Sequence, residues 1–289
     1  MAYTSTNVNP SKFHRSQIKI YAYLIPIAVV MILPLLYIFN HAFKPLEELF
    51  AFPPRIFVKQ PTLENFEKLF SATADSAIPI SRYIFNSLIV STAVVTVTVF
   101  LSSLGGFALS KMQYPGKKLL LEINNVALMF VSVAVAIPRY LIIQFLGITN
   151  TYWAHILPLV VMPVGLFLIK QFIDQVPDSL IEAAYIDGAS DFRVYRKIIL
   201  PLTRPALATV AILSFQAVWN NVETSTMYME SDGIKTLAFY MSTLTTNTNS
   251  VAGQGIAAAS TLIMIVPNIV LFIVLQSRVM NTMAQSGIK

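Results

Sequence analysis

EAAYIDGASDFRVYRKIILPLTRP, residues 182–205, interrupts an apolar chain with a run of mixed charge that ends in two prolines. Everywhere else the apolar residues come in long blocks. Of 289 residues 55% are hydrophobic and 12% charged, and mean hydropathy is +0.65. A soluble domain carries about 25% charged residues. A helix that crosses a bilayer needs about 20 consecutive apolar residues. Six blocks have that character: about Ile20–Phe39, Ile84–Leu109, Ile123–Leu146, Tyr152–Ile169, Ala206–Met229 and Gly255–Gln276. Prolines interrupt most of them (Pro26, Pro34, Pro138, Pro158, Pro163, Pro267), and membrane helices tolerate these because neighbours re-satisfy the freed backbone groups. The pattern predicts an all-α integral membrane protein of six transmembrane helices.

Lys and Arg set the orientation. With a cytoplasmic N-terminus, the inner segments hold Lys12, Arg15, Lys19, Lys111, Lys117, Lys118, Lys170, Arg193, Arg196, Lys197, Arg204, Arg278 and Lys289. Lys44, Arg55, Lys59, Lys68, Arg82, Arg139 and Lys235 stay outside, mostly in one long segment that also carries Glu. Both termini are therefore expected in the cytoplasm. The division that follows is a tail over 1–19, a transmembrane domain over 20–277 and a tail over 278–289. Within the domain lie an outer segment about 41–83, an inner loop about 177–205 and an outer loop about 230–254. The net charge of +6 reflects this topology and does not imply nucleic-acid binding. The first block is too long for a cleavable signal and no small-residue cleavage site follows it. The chain has no cysteine, which excludes disulfides, thiolate chemistry and Cys-ligated metal.

The opening stretch thus lies inside, between the fourth and fifth blocks. Pro177 halts the chain, and Ser179 with Glu182 three residues on has the capping-box pattern. A short helix is expected to run to Asp187, where Gly188 supplies the permissive conformation of a helix end. Ser190 or Asp191 can cap a second short helix with Phe192, Tyr195, Ile198 and Ile199 on one face. Pro201 stops it, and Pro205 suits the first turn of the next span. The product is helix, glycine hinge, helix, with an apolar stripe for which this chain offers no obvious partner. Such an element lies on lipid or docks into a groove of another protein; its mixed charge favours docking.

Glu182-Ala183-Ala184, Asp187-Gly188-Ala189, Tyr195, Ile198 and Leu200-Pro201 resemble the cytoplasmic signature of permease subunits in binding-protein-dependent ABC importers. Tyr195 stands where that family usually has Phe, a change that keeps the aromatic. The resemblance implies that the loop seats in a cleft of a cytosolic ATPase and passes its closure to the spans. Asn86-Ser87, Gly106-Phe107-Ala108, Tyr114-Pro115-Gly116-Lys117, PTLENFEKLF (61–70) and the terminal MAQSGIK are similar to carbohydrate-type permeases of the maltose-transporter kind. That likeness implies a second, related permease subunit, two ABC ATPase subunits, an extracytoplasmic solute-binding protein and a sugar or oligosaccharide substrate. It also implies a bacterial cell membrane as the setting, with lipid around the spans. In maltose-type relatives the outer loop reaches the binding protein, so docking is the expectation for MESDGIKTLAFYMSTLTTNTNSVAGQ; its Thr, Asn and Ser content leaves disorder as the other reading.

FQAVWNNVETSTMYM at the end of the fifth block is the candidate substrate path. Relatives often carry Trp-Asn, an acid and Phe; Trp219 and Asn220 match, whereas Asn221 and Val222 depart. An aromatic face beside amide and carboxylate groups suits a polyhydroxylated sugar, which makes Trp219, Asn220, Asn221 and Glu223 candidates. Asn86 and Ser87 are weaker ones. A Trp at an interface also serves as an anchor, and amides also bond between helices. Arg139 and His155 lie near a membrane edge, where snorkelling or a loop contact explains them more simply than ion conduction. His155 lacks a second ligand at metal spacing.

No phosphate loop of the G-x-x-x-x-G-K-[ST] form occurs, nor H-E-x-x-H or G-x-S-x-G. The chain is not expected to be an enzyme or to bind a cofactor; ATP and magnesium belong to the partner ATPase. The alternative is an ion-coupled secondary transporter, which usually buries ionisable groups at mid-membrane. Here the blocks are nearly charge-free, with Glu223 the ambiguous case.

Overall fold

The computed structural model describes residues 17–53, 55–74, 78–246 and 251–286. The predicted N-terminal tail up to residue 16 and the last three residues of MAQSGIK lie outside them. Among the described residues every regular element is helical and no strand forms. Two compact units divide the chain: one takes the described residues of Met1–Leu69 and Asn247–Leu262, the other those of Phe70–Thr246 and Ile263–Lys289.

The smaller unit begins with α1 (Ile18–Ala42), followed by α2 (Leu46–Leu49) and the start of α3 (Glu64–Ala74). α1 is exposed along nearly its whole apolar length, with only Asn40, His41 and Ala42 buried. Surface of that kind requires lipid or protein against it. The end of α1 is closed by Asn65, whose amide donates to the carbonyls of Ala42 (3.0 Å) and Lys44 (2.7 Å). A side chain at Gly255 would fall 2.4 Å from Asn65 Oδ1, so only glycine lets the backbone come so close there.

The larger unit is organised on α4 (Ile80–Lys111). The buried face of α4 is unlike that of a soluble helix: Asn86, Ser87, Ser91, Thr98, Ser102, Ser103 and Gly106 share it with Val90, Val94 and Phe107, while Phe85, Leu88, Phe100 and Leu101 point outward. Between membrane helices, small and hydroxyl residues permit close approach, and the large apolar ones face lipid. α5 (Lys117–Ala127), α6 (Ala136–Phe145), α7 (Tyr152–Val160) and α8 (Pro163–Asp174) follow. Close packing of α8 is visible at two glycines: a Cβ at Gly106 would meet Ile169 Cγ2 at 2.9 Å, and one at Gly165 would meet Val210 Cγ1 at 3.0 Å.

Three predicted blocks are not single helices. The third is α5 and α6 with irregular backbone between them. Val131, Val133 and Val135 in that gap are β-branched and poor in a helix, and Pro138 fits only the first turn of the helix that restarts. The fourth is α7 and α8, bent by 42° ahead of Pro163. Thr98 of α4 donates to the Val160 carbonyl at 3.0 Å, satisfying a group that the break sets free. The fifth ends early, because α12 (Arg204–Trp219) stops at Asn220 and a short α13 (Glu223–Tyr228) begins afresh. α9 (Asp178–Ile186), α10 (Asp191–Val194) and α11 (Leu200–Leu202) precede it; α14 (Leu237–Thr246) and α15 (Val251–Ser286) complete the chain. Among the described residues three helices are long and apolar enough to cross a membrane alone, or up to five spans if each bent pair counts as one.

Candidate coupling and translocation sites

The charged loop folds as a projecting lever. α9 starts at Asp178 with Pro177 before it, so the Ser179–Glu182 capping box does not form. Lys111 fixes that start instead, donating to the Val176 carbonyl (2.7 Å) and pairing with Asp178 (2.6 Å). α9 ends as the sequence requires. Gly188 has φ +76°, its amide bonds the Tyr185 carbonyl (3.0 Å), and the Ala189 amide bonds the Ala184 carbonyl (2.9 Å). That is the Schellman closure, in which glycine takes the left-handed position. Asp187 is the last residue before it.

The return arm differs from expectation. Between α10 and α11 the chain makes a π-helical turn, Tyr195–Ile199. Each turn there takes in an extra residue, which rotates the faces of the arm. Tyr195, Ile199 and Val194 are buried against Phe107, Ile169 and Ile173 of α4 and α8, with Ile198, Leu200, Ala184 and Ala189 packed on them. The Tyr195 hydroxyl meets Ser103 Oγ at 2.7 Å. The predicted stripe therefore does have a partner inside the chain, except for Phe192. Phe192 is 64% exposed and Ile186 86%, with Leu180 and Tyr185 also exposed. Glu182, Ala183, Asp187, Gly188 and Pro201 share this outer side of the lever. The Tyr185 hydroxyl donates to Asp191 at 2.9 Å; burial first, then this bond to the carboxylate, raises its pKa.

At the other end of α4 a clasp of hydrogen bonds holds the loop 230–236. Asn86 donates to the carbonyls of Gly233 (3.0 Å) and Lys235 (2.8 Å) and accepts from the Tyr152 hydroxyl (2.7 Å). Ser87 Oγ accepts from the Leu237 amide (2.8 Å). His155 is fully buried; its Nε2 donates to the Ile234 carbonyl (3.1 Å). The Thr224 hydroxyl sits between His155 Nδ1 (2.7 Å) and Asn221 Oδ1 (2.8 Å), with one proton to give to either. The described part of the outer loop carries α14, which buries Leu237, Ala238, Tyr240 and Met241, and residues 247–250 lie outside the described residues.

The candidate path residues separate into four settings. Asn86 and Ser87 are consumed by the clasp. Trp219 is 5% exposed, stacks on Phe215 and donates its indole N–H to the Met264 carbonyl (3.2 Å). Asn220 bonds back to the Gln216 carbonyl (2.9 Å). Asn221 and Glu223 alone line a cavity of about 480 Å³. They share it with Arg139 and Ser214, and Arg139 pairs with Glu223 at 3.3 Å. Sequence reading placed Arg139 at a membrane edge but not this partner, which lies 84 residues away.

These features define a transport subunit of the membrane, and the family is shown by comparison. Residues 89–277 match the binding-protein-dependent transport system inner membrane component, and the chain belongs to that family. It is a permease subunit of an ABC importer, a multi-pass membrane protein, and nothing supports the ion-coupled alternative. It is 29% identical over 284 residues to the probable ABC transporter permease protein YurM of Bacillus subtilis, covering 96% of this chain and 90% of that one. It is 30% identical over 269 residues to the arabinooligosaccharides transport system permease protein AraQ of Halalkalibacterium halodurans, covering 91% and 93%. The fold is that of a chain from a bacterial ABC transporter involved in import of the acidic polysaccharide alginate. There the TM-score is 0.78 at 19% identity, with 93% and 99% of the two chains covered.

Proposed function

We propose that this chain forms, with a second related permease, the path by which a sugar or oligosaccharide enters a bacterial cell across its cytoplasmic membrane. In this reading it makes six spans with both termini inside, the broken segment of α5 and α6 counting as the third. A solute-binding protein delivers the sugar at the outer face, next to the loop that the clasp holds. Two ATPase subunits, which bind ATP and magnesium, receive the lever through Glu182, Ala183, Asp187, Gly188 and the exposed apolar side chains around them. Of the remaining signature residues, Ala184, Ala189, Tyr195, Ile198 and Leu200 root the lever in the span packing, and Pro201 lies on its outer side. Closure of the ATPase pair then moves α4 and α8 together and turns the path outward, and hydrolysis returns it. The sugar assignment draws on the likeness to AraQ and on the polar groups of the cavity.

One observation carries the coupling role: a lever whose base is packed in the core while Ile186 and Phe192 at its tip remain 86% and 64% exposed. Exposed apolar groups on a rigid arm are suited to a groove. The test is purification of the tagged chain in mild detergent with its co-purifying proteins identified. An ATPase subunit is expected with the wild type and lost at least tenfold with the double variant Ile186→Ser, Phe192→Ser, while the second permease stays bound. Unchanged ATPase recovery with that variant would overturn the docking assignment.

A further inference from the structure

We infer that the cavity beside Arg139 binds a neutral polyhydroxylated sugar, and that Glu223 makes it reject uronic acids. The inference rests on the sugar-import reading and names the substrate class of that path.

A volume of about 480 Å³ falls within the range of about 300–1,000 Å³ typical of small-molecule sites. Among the described residues Arg139 and Glu223 are the only charged ones on its wall. At 3.3 Å they neutralise each other, so the cavity offers a strong donor and a strong acceptor side by side with no net charge. A sugar hydroxyl both donates and accepts, and neighbouring hydroxyls on a ring can meet the two together. A carboxylate can only accept. It would have to share the Arg139 guanidinium with Glu223 and remain beside that like charge, which is unfavourable.

Ser214 supplies an independent pointer. It is 2% exposed, lies on the same wall, and its hydroxyl has no hydrogen-bond partner. Buried hydroxyls are nearly always bonded, so this one calls for a polar ligand. Asn221 adds to it: its Oδ1 accepts the Thr224 amide at 2.9 Å, which leaves its NH₂ to donate. Phe130 and Pro158 provide apolar wall for the C–H faces of a ring.

The test uses the whole importer in nanodiscs with the binding protein omitted. Equilibrium binding is measured for gluco-, galacto-, arabino- and xylo-oligosaccharides against oligogalacturonates of equal length. At least one neutral sugar is expected to bind tenfold or more tighter than any uronate. Glu223→Gln frees Arg139 and is expected to shrink that ratio at least tenfold, whereas Glu223→Asp keeps it. Ser214→Ala is expected to weaken the neutral sugar several-fold. Wild type that prefers uronates, or binds no sugar, overturns the inference. So does an unchanged ratio in a Glu223→Gln complex that still elutes intact. Uptake with the binding protein restored separates this from the broader reading: ATP-driven sugar uptake with an unchanged ratio defeats the site alone, and absence of any sugar uptake defeats both.

Discussion

Asn86 and Ser103, which touch the clasp and the lever respectively, both lie on α4, about 25 Å apart at 1.5 Å per residue. The two regions are built in opposite ways. The clasp satisfies its polar groups internally: Asn86, Ser87 and His155 are each at most 3% exposed and each bonded to backbone. The lever buries apolar residues at its root and leaves others bare at its tip. Hydrogen bonds hold a loop in one geometry because stranding any buried member is costly. Packing roots an arm firmly without specifying what its far side touches. The clasp meets its own polar groups within the chain, whereas the lever leaves apolar side chains uncovered.

The lever is easiest to break at Gly188. No atom lies within 4 Å of a Cβ there, so crowding plays no part and the φ of +76° decides. A β-branched residue is a poor fit to that region, and the left-handed conformation costs ordinary residues about 1–2 kcal/mol. Gly188→Val is expected to abolish uptake with the chain still inserted, because the arm leaves at a new angle. Gly188→Asn, which tolerates this conformation, is expected to keep most uptake. Uptake assays of both variants, with insertion checked by immunoblot, decide it. Equal loss in the two variants would mean that flexibility, not the φ value, is what glycine provides.

The clasp should respond through stability. Asn86→Ala strands two carbonyls and the Tyr152 hydroxyl, and is expected to cost about 2 kcal/mol, given about 1–3 kcal/mol for stranded buried groups. Tyr152→Phe removes one of those bonds and should cost about 0.6 kcal/mol, the average for hydrogen bonds between membrane helices. Thermal unfolding of the complex in detergent measures both. Equal small shifts would mean that water enters the clasp and replaces the lost partners.

The same contrast explains what could be read in the sequence. Gly188, its helix end and the two arms of the lever were legible because their signals are local, within a few residues of Asp187. The face of the return arm was misjudged at Phe192, since a π-turn changes the period on which a face is counted. The clasp was invisible in advance: Asn86 and Gly233 are 147 residues apart, and nothing at either position specifies the other. Glu223 drew notice for its charge, yet its ion pair with Arg139 could not be read from either position. The apolar blocks disclosed a membrane protein but not the breaks inside it, because hydropathy registers composition rather than helix continuity.

In the smaller unit, Glu48 shows a clasp of the outer kind on a shorter scale, and its effect should be the smallest. Its carboxylate accepts the backbone amides of Lys59 (3.1 Å) and Gln60 (2.9 Å), tying α2 to the segment that follows. The Lys59 amide, then that of Gln60, holds its pKa below the ordinary 4.5. A carboxyl group with a depressed folded pKa stabilises fully above its unfolded value and loses that contribution as pH falls through the folded one. Hydrogen exchange at Lys59 and Gln60, corrected for intrinsic rates, should therefore show constant protection from about pH 8 to about pH 5 and a decline below the ordinary carboxylate range. Glu48→Gln keeps an acceptor but removes the charge, so its protection should be lower at neutral pH and flat with acid. A wild-type profile as flat as the variant's would mean that the backbone of 50–60, not the carboxylate, holds those amides. Unlike Asn86, Glu48 is only partly buried, and water replaces its bonds at little cost. The same donor-and-acceptor geometry thus stabilises strongly where it is buried on α4 and weakly where it is wet.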